Sequence, residues 1–239
     1  MSAPPNTQVF QARTQLDATA TKVYEWHTRP GAFQRLQPPW EDVRLLDPGE
    51  GLAQGSRTVL DVPMGPFRKK WVAEHGEIRP GESFQDTQVQ GPFAAWIHEH
   101  RMKPGPDDTC WLEDEIHYRL PLGALGRVLG GAHVRQTLER VFTYRHEVTR
   151  NDIKYCKTRS QTSTPTSTMR ILVSGSNGLV GSSLIPLLTT NGHEVVTLTR
   201  PPSKSNSAPI AWAPSFGSID TEKLEGFDAV VHLAGENIA

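Results

Sequence analysis

Cysteine is nearly absent from this 239-residue chain: Cys110 and Cys156 are the only two, with no C-x-x-C pair and no ladder of spacings. That excludes a disulfide framework or a cysteine-built zinc site and points to a reducing, cytoplasmic setting. An excess of one charge is also lacking. The 25 Lys and Arg stand against 26 Asp and Glu, a formal net of −1, so no global basic field recruits nucleic acid or anionic lipid. No run approaches the ~18 apolar residues of a membrane span. The polar, proline-bearing start from Met1 to Val9 lacks the pattern of a signal peptide. What is present, 36% hydrophobic and 8% aromatic residues, suffices for packed cores. At roughly 150 residues per domain the length predicts two unequal parts.

The division falls at a Ser/Thr-dominated stretch, 157–168, which holds Pro165 and no large apolar side chain. It reads as an exposed linker. Residues 1–156 form one domain and 169–239 the start of another, with the pattern changing from strand after strand to strand, glycine turn, helix, strand.

In the first part, Val9 to Leu16 alternates as a half-buried strand, and Asp17 is placed to cap a helix from Ala18 to His27. Strand-like runs follow at Val43 to Leu46, Ser56 to Val62, Phe67 to Ile78, Phe84 to Gln90, Ala94 to Met102 and Thr109 to Leu120. Turn signals between them, such as Arg79-Pro80-Gly81, predict a hairpin-linked antiparallel sheet. After Gly123 the period changes: Val134, Leu138, Val141 and Phe142 make the apolar stripe of a long helix to about Glu147. His98 and His100 share one face of a strand, but no third ligand is signalled by spacing and Glu99 points away, so no metal site is expected. Trp71, Trp96, Trp111, Phe67 and Phe84 are read as core more readily than as pocket lining. This element order resembles the START-like helix-grip fold, also called the SRPBCC or polyketide-cyclase-like superfamily, over roughly residues 8 to 150. The resemblance implies an apolar pocket for a lipid-like or aromatic small molecule.

In the second part, Met169 to Ser174 is a continuous apolar strand that runs into Gly175-Ser-Asn-Gly178-Leu-Val-Gly181, a G-x-x-G-x-x-G turn opening a helix to about Thr190. Gly175 permits the tight turn, Gly178 admits a pyrophosphate close to backbone, and Gly181 lets the helix sit on the strand. The helix-start amides would face the phosphates. Acidic residues outnumber basic ones by two after residue 168, so placed groups and not bulk charge must hold an anion. A second strand, Glu194 to Leu198, ends at Thr199-Arg200, where an arginine favours a 2′-phosphate and hence NADP over NAD. Lys204 is a weaker helper. Ile210 to Pro214 is a short strand, Asp220 caps a turn of helix from Thr221 to Glu225, and Asp228 to Leu233 is another buried strand. The expected cofactor-binding residues are Gly175, Ser176, Asn177, Gly178, Leu179, Val180, Arg200, Leu233, Ala234 and Gly235, on a partial parallel sheet of order 3-2-1-4.

With Ala-Trp-Ala-Pro, Leu-Glu-Gly-Phe-Asp-Ala-Val-Val and His-Leu-Ala-Gly-Glu-Asn, the stretch from Met169 to Ala239 resembles the start of an NAD(P)-dependent epimerase/dehydratase-type member of the extended short-chain dehydrogenase/reductase superfamily. The nearest branch is often labelled nucleoside-diphosphate-sugar epimerase or cell-division inhibitor, and its members can carry a START-like domain in front. Hydride transfer in that family implies a Tyr-x-x-x-Lys pair. Tyr24, Tyr118, Tyr144 and Tyr155 are the only tyrosines, and none is followed by lysine at that spacing. The expectation is therefore a carboxy-terminally truncated chain that binds NAD(P) without the catalytic pair, fused to a small-molecule-binding domain. The alternative is a non-catalytic lipid or small-molecule binding protein whose nucleotide-binding segment is vestigial.

Overall fold

The computed structural model describes residues 7–160, 168–200 and 209–235, the side chains of 158–160 excepted. The chain divides into two compact units, Met1–Thr28 with Leu36–Lys157, and Arg29–Arg35 with Thr158–Ala239. Lys204 and residues 161–167 of the expected linker lie outside the described residues. Among the described residues no helix is long and apolar enough to cross a membrane.

The first unit is a seven-stranded antiparallel sheet gripping a long helix. Its strands are β1 (Gln8–Leu16), β2 (Arg44–Asp47), β3 (Arg57–Met64), β4 (Phe67–Arg79), β5 (Ser83–Gln90), β6 (Ala95–Pro104) and β7 (Cys110–Arg119). Hairpins run β2 to β7 in sequence order, and β1 closes against β7, giving β1-β7-β6-β5-β4-β3-β2. Each strand lies within a few residues of its expected run, because the proline–glycine turns leave little freedom in where a strand can end.

Helix α1 (Ala20–Thr28) and short α2 (Ala32–Leu36) precede the sheet's hairpins. The cap of α1 is Thr19 and not Asp17: the Lys22 amide donates to Thr19 Oγ1 and the Val23 amide to the Thr19 carbonyl. Asp17 instead pairs with Lys157 at 2.5 Å. Helix α3 (Gly123–Ser160) outruns its expected end by more than ten residues and takes in the first four residues of the expected linker. Beyond Phe142 its buried face turns polar, with His146, Thr149 and Asp152 inside beside Val148 and Ile153, so the apolar stripe fades while the helix continues.

The inward face of the sheet has two halves. At one end Phe10, Trp96, Ile116, Tyr118 and Leu120 pack against Leu138 and Phe142 of α3, with Trp71 and Trp96 edge to face at 5.1 Å. Burying each such side chain contributes roughly 1.5 to 3 kcal/mol. At the other end the same face carries Asp86, His98, His100 and Asp114.

The second unit is a five-stranded sheet of order β11-β10-β9-β8-β12, built from β8 (Arg170–Ser174), β9 (Glu194–Thr199), β10 (Ile210–Ala213), β11 (Ser218–Ile219) and β12 (Ala229–His232). The parallel strands realise the order 3-2-1-4. Two-residue β11 is an antiparallel addition that sequence periodicity cannot register. Helix α4 (Leu179–Thr190) follows β8 and continues through Pro186 to an Asn191 cap and Gly192 at φ +84°. Asp220 makes no capping hydrogen bond to the 3-10 turn Thr221–Leu224; it pairs with Lys223 at 2.6 Å.

Candidate functional site

The carboxyl edge of the second sheet gathers every cofactor-binding residue expected from sequence. Ser174 at the end of β8 lies opposite Leu198 of β9 and His232 of β12. Gly175 to Val180, Arg200, and Leu233 to Gly235 therefore all leave the sheet at one edge, beside the point where strand order reverses. Ligands sit at that place in open parallel sheets.

The glycines are required there for separate reasons. Gly175 has φ +71°, and a β-carbon on it would stand 2.6 Å from the Leu233 carbonyl carbon. A β-carbon on Gly181 would stand 2.3 Å from the Gly175 oxygen. Gly178 is different: its backbone is ordinary, and a β-carbon would meet only the Gly175 oxygen at 3.3 Å. What Gly178 leaves clear is the space in front of α4. No side chain caps that end, and Leu179, 90% exposed, and Val180, also exposed, leave it open to solvent. The first amides of a helix and the positive end of its dipole, where they face solvent, favour an anion.

Ser174 adds an element that sequence does not signal. Its Oγ lies 2.7 Å from His232 Nδ1 and accepts from the Leu233 and Ala234 amides at 3.2 and 3.3 Å. The hydroxyl thus ties the end of β12 to the glycine turn. Arg200 is exposed, two residues past the β8-facing Leu198.

The first unit holds a second cluster. Asp114 on β7 accepts from His98 Nε2 at 2.8 Å, from His100 Nδ1 at 2.7 Å and from His146 Nε2 at 2.6 Å. Asp86 on β5, directly opposite His98, has Oδ2 3.5 Å from His100 Nε2 and Oδ1 2.5 Å from His75 Nδ1. All but His75 and Asp86 are fully buried. Burial drives His98 down to about 4, as does the charge on neighbouring His100. Burial works against His100 too, but the Asp114 and Asp86 carboxylates outweigh it and raise this imidazole to about 9. Burial opposes ionisation of Asp114 as well, and His100 with the other imidazoles holds it far below the usual carboxylate range. Glu99 points to the opposite face, where it pairs with Arg101.

The aromatics read from sequence as core separate. Trp71 and Trp96 pack on each other, Phe84 stacks on His100 at 4.1 Å, Trp111 lies outside under the Arg13 guanidinium at 3.9 Å, and Phe67 is exposed. A groove of about 350 Å³ opens between β1 and α3, lined by Phe10 and Phe142 but also by Arg13, Arg135, Arg150, Glu139, Glu147 and His146. Its wall is more polar than the helix-grip resemblance implies.

Comparison with known proteins bears on both units. Residues 171–238 match the NAD dependent epimerase/dehydratase family. A nucleoside-diphosphate sugar epimerase from Corynebacterium glutamicum superposes with a TM-score of 0.77 at 30% identity, covering 95% of this chain and 46% of that one. An epimerase family protein of Bos taurus is 41% identical over 70 residues, 29% of this chain and 21% of the relative. The chain thus spans under half the length of the first and about a fifth of the second. Norcoclaurine synthase of Thalictrum flavum shares the helix-grip fold at a TM-score of 0.50 and 11% identity, over 66% of this chain and 99% of that one. The polyketide cyclase / dehydrase and lipid transport family matches residues 16–142. Because that match takes in more than half of the sequence, the chain belongs to this family, and it carries an epimerase-family, Rossmann-like region after the helix-grip domain.

Proposed function

We propose that the second unit binds a nicotinamide dinucleotide, with NADP preferred over NAD, and that the first unit takes a small molecule in the groove between β1 and α3. The observation that carries the reading is the open amino end of α4, faced by backbone amides and kept clear by Gly178. The residues fit such a group: Gly175 and Gly181 hold a turn that any β-carbon would push apart, and among the described residues no side-chain hydrogen bond caps the start of α4. When bound, the dinucleotide supplies hydride exchange. The chain's own contributions are the amides from Leu179 onward for the pyrophosphate, the Leu233 to Gly235 backbone as the floor, and Arg200 for the adenosine ribose and its 2′-phosphate. The epimerase/dehydratase-type chemistry of the relatives needs a Tyr-x-x-x-Lys pair, which these 239 residues do not contain. The role proposed for this chain is therefore cofactor capture.

A charged hydrogen bond contributes roughly 1.5 to 3 kcal/mol, so Arg200→Ser should weaken NADP binding about tenfold to a hundredfold and leave NAD nearly unchanged. Titrating NADP and NAD into wild type and variant by calorimetry reads this directly. Equal affinity for the two dinucleotides in wild type would remove the preference. Binding of neither would return the chain to the carrier reading, with a vestigial second unit.

A further inference from the structure

Asp86, His98 and His100 come from adjacent strands, and one ligand atom from each lies within 4.8 Å of the others. The two histidines are two residues apart on β6, so they share the inward face. The third group comes from the cross-strand register, Asp86 against His98, which is why the spacing along β6 does not announce it. We propose that these three residues hold a first-row divalent cation of the zinc class, with Asp114 behind both imidazoles as the carboxylate that fixes their orientation.

Three observations support the assignment. Asp114 Oδ1 lies 2.8 Å from His98 Nε2 and 2.7 Å from His100 Nδ1, so with a cation bound each ring can give one N–H to this carboxylate and the lone pair of its opposite nitrogen to the metal. A carboxylate accepting the far N–H of a metal-binding histidine is the usual outer partner in such sites, and here one carboxylate serves two histidines. Asp86 is half-buried and turns both oxygens toward imidazoles, Oδ1 at 2.5 Å from His75 Nδ1. Oδ2 stands 3.5 Å from His100 Nε2, too long for a charge-assisted hydrogen bond. That separation suits two donors sharing one ion, since bonds of about 2.0 to 2.1 Å in a tetrahedral site put neighbouring donors roughly 3.3 Å apart. Arg145, the nearby buried cation, is directed to the Leu36 carbonyl and the Phe142 ring and bonds neither carboxylate. Three protein ligands leave a position for water.

The test uses the full chain, stripped with a chelator, checked by circular dichroism and titrated with cobalt(II) as the visible probe. The expected result is saturation at one equivalent with the absorption of four- or five-coordinate cobalt, displaced by zinc. Asp86→Asn keeps the side chain's shape, and His98→Gln keeps its polarity. Each should weaken cobalt binding at least tenfold, while His117→Gln on the outer sheet face should not. Asp114→Asn should cost about tenfold to a hundredfold. If stripping disturbs the native dichroism and zinc restores it, the site is equally upheld. Native stripped chain that never saturates with cobalt, unfolded stripped chain that no metal restores, or folded Asp86→Asn binding as tightly as wild type would each overturn the proposal.

Discussion

A single carbon atom tests the glycine turn position by position. Gly181→Ala would press a methyl against the Gly175 carbonyl, an atom of backbone with no flexible end to yield. Overpacking of this kind costs about 1 to 3 kcal/mol and outweighs the ~1 kcal/mol that alanine gains in a helix. Gly178→Ala should instead leave the unfolding midpoint within a degree or two while weakening dinucleotide binding, so denaturation and titration of the two variants should give opposite rankings. The thiols differ in a similar way. Burial pushes Cys110 up to about 11, so a thiol reagent at pH 7 should label the partly exposed Cys156 and leave Cys110 unmodified until the chain unfolds. On the outer face, His117, Gln11 and Arg101 hold Glu115 down at about 2. Its unfolded value is near 4.3, so this carboxylate stabilises the fold fully above that value, and the contribution disappears as pH falls from about 5 through 2. Glu115→Gln should therefore be less stable than wild type at pH 7, and the gap measured by urea denaturation should narrow steadily toward pH 2.

Elements show what kind of information the sequence exposes. The hairpin strands of the first sheet were legible because the runs from β2 to β6 each end at a turn holding proline and glycine. The glycine turn after β8 was legible because all of its logic lies within seven residues. The cap of α1 went to Thr19 because two capping residue types stand within three positions, and only the hydrogen bonds distinguish them. The length of α3 was hidden by its own packing: from His146 onward its buried face mixes His146, Thr149 and Asp152 with Val148 and Ile153, His146 being directed at Asp114, and an apolar period cannot follow it. The Asp–His cluster was illegible for a related reason. Asp86, His98, Asp114 and His146 come together through strand register and helix packing, not through spacing along the chain. Where α3 is apolar, its anchor is Phe142, 2% exposed and 5.3 Å from the Phe10 ring. Phe142→Ala should cost about 3 to 5 kcal/mol, read as a lowered denaturation midpoint with an unchanged slope.

For the whole molecule, one chain carries a helix-grip domain whose interior is apolar at one end and polar at the other, followed by a Rossmann-like sheet. The Corynebacterium epimerase superposes on 95% of this chain over 46% of its own length. What this chain can be asked is whether its glycine turn captures a cofactor. The most direct measurement is calorimetric titration of NADP into the full chain and into Gly178→Asp, whose β-carbon asks the Gly175 carbonyl to yield by only a few tenths of an ångström and whose carboxylate would face the pyrophosphate, with circular dichroism checking that the variant is folded. One saturable site in wild type, weakened at least tenfold in the variant, is the predicted result. Binding of equal strength in both proteins would contradict it, because the phosphates would then be resting somewhere other than the amino end of α4.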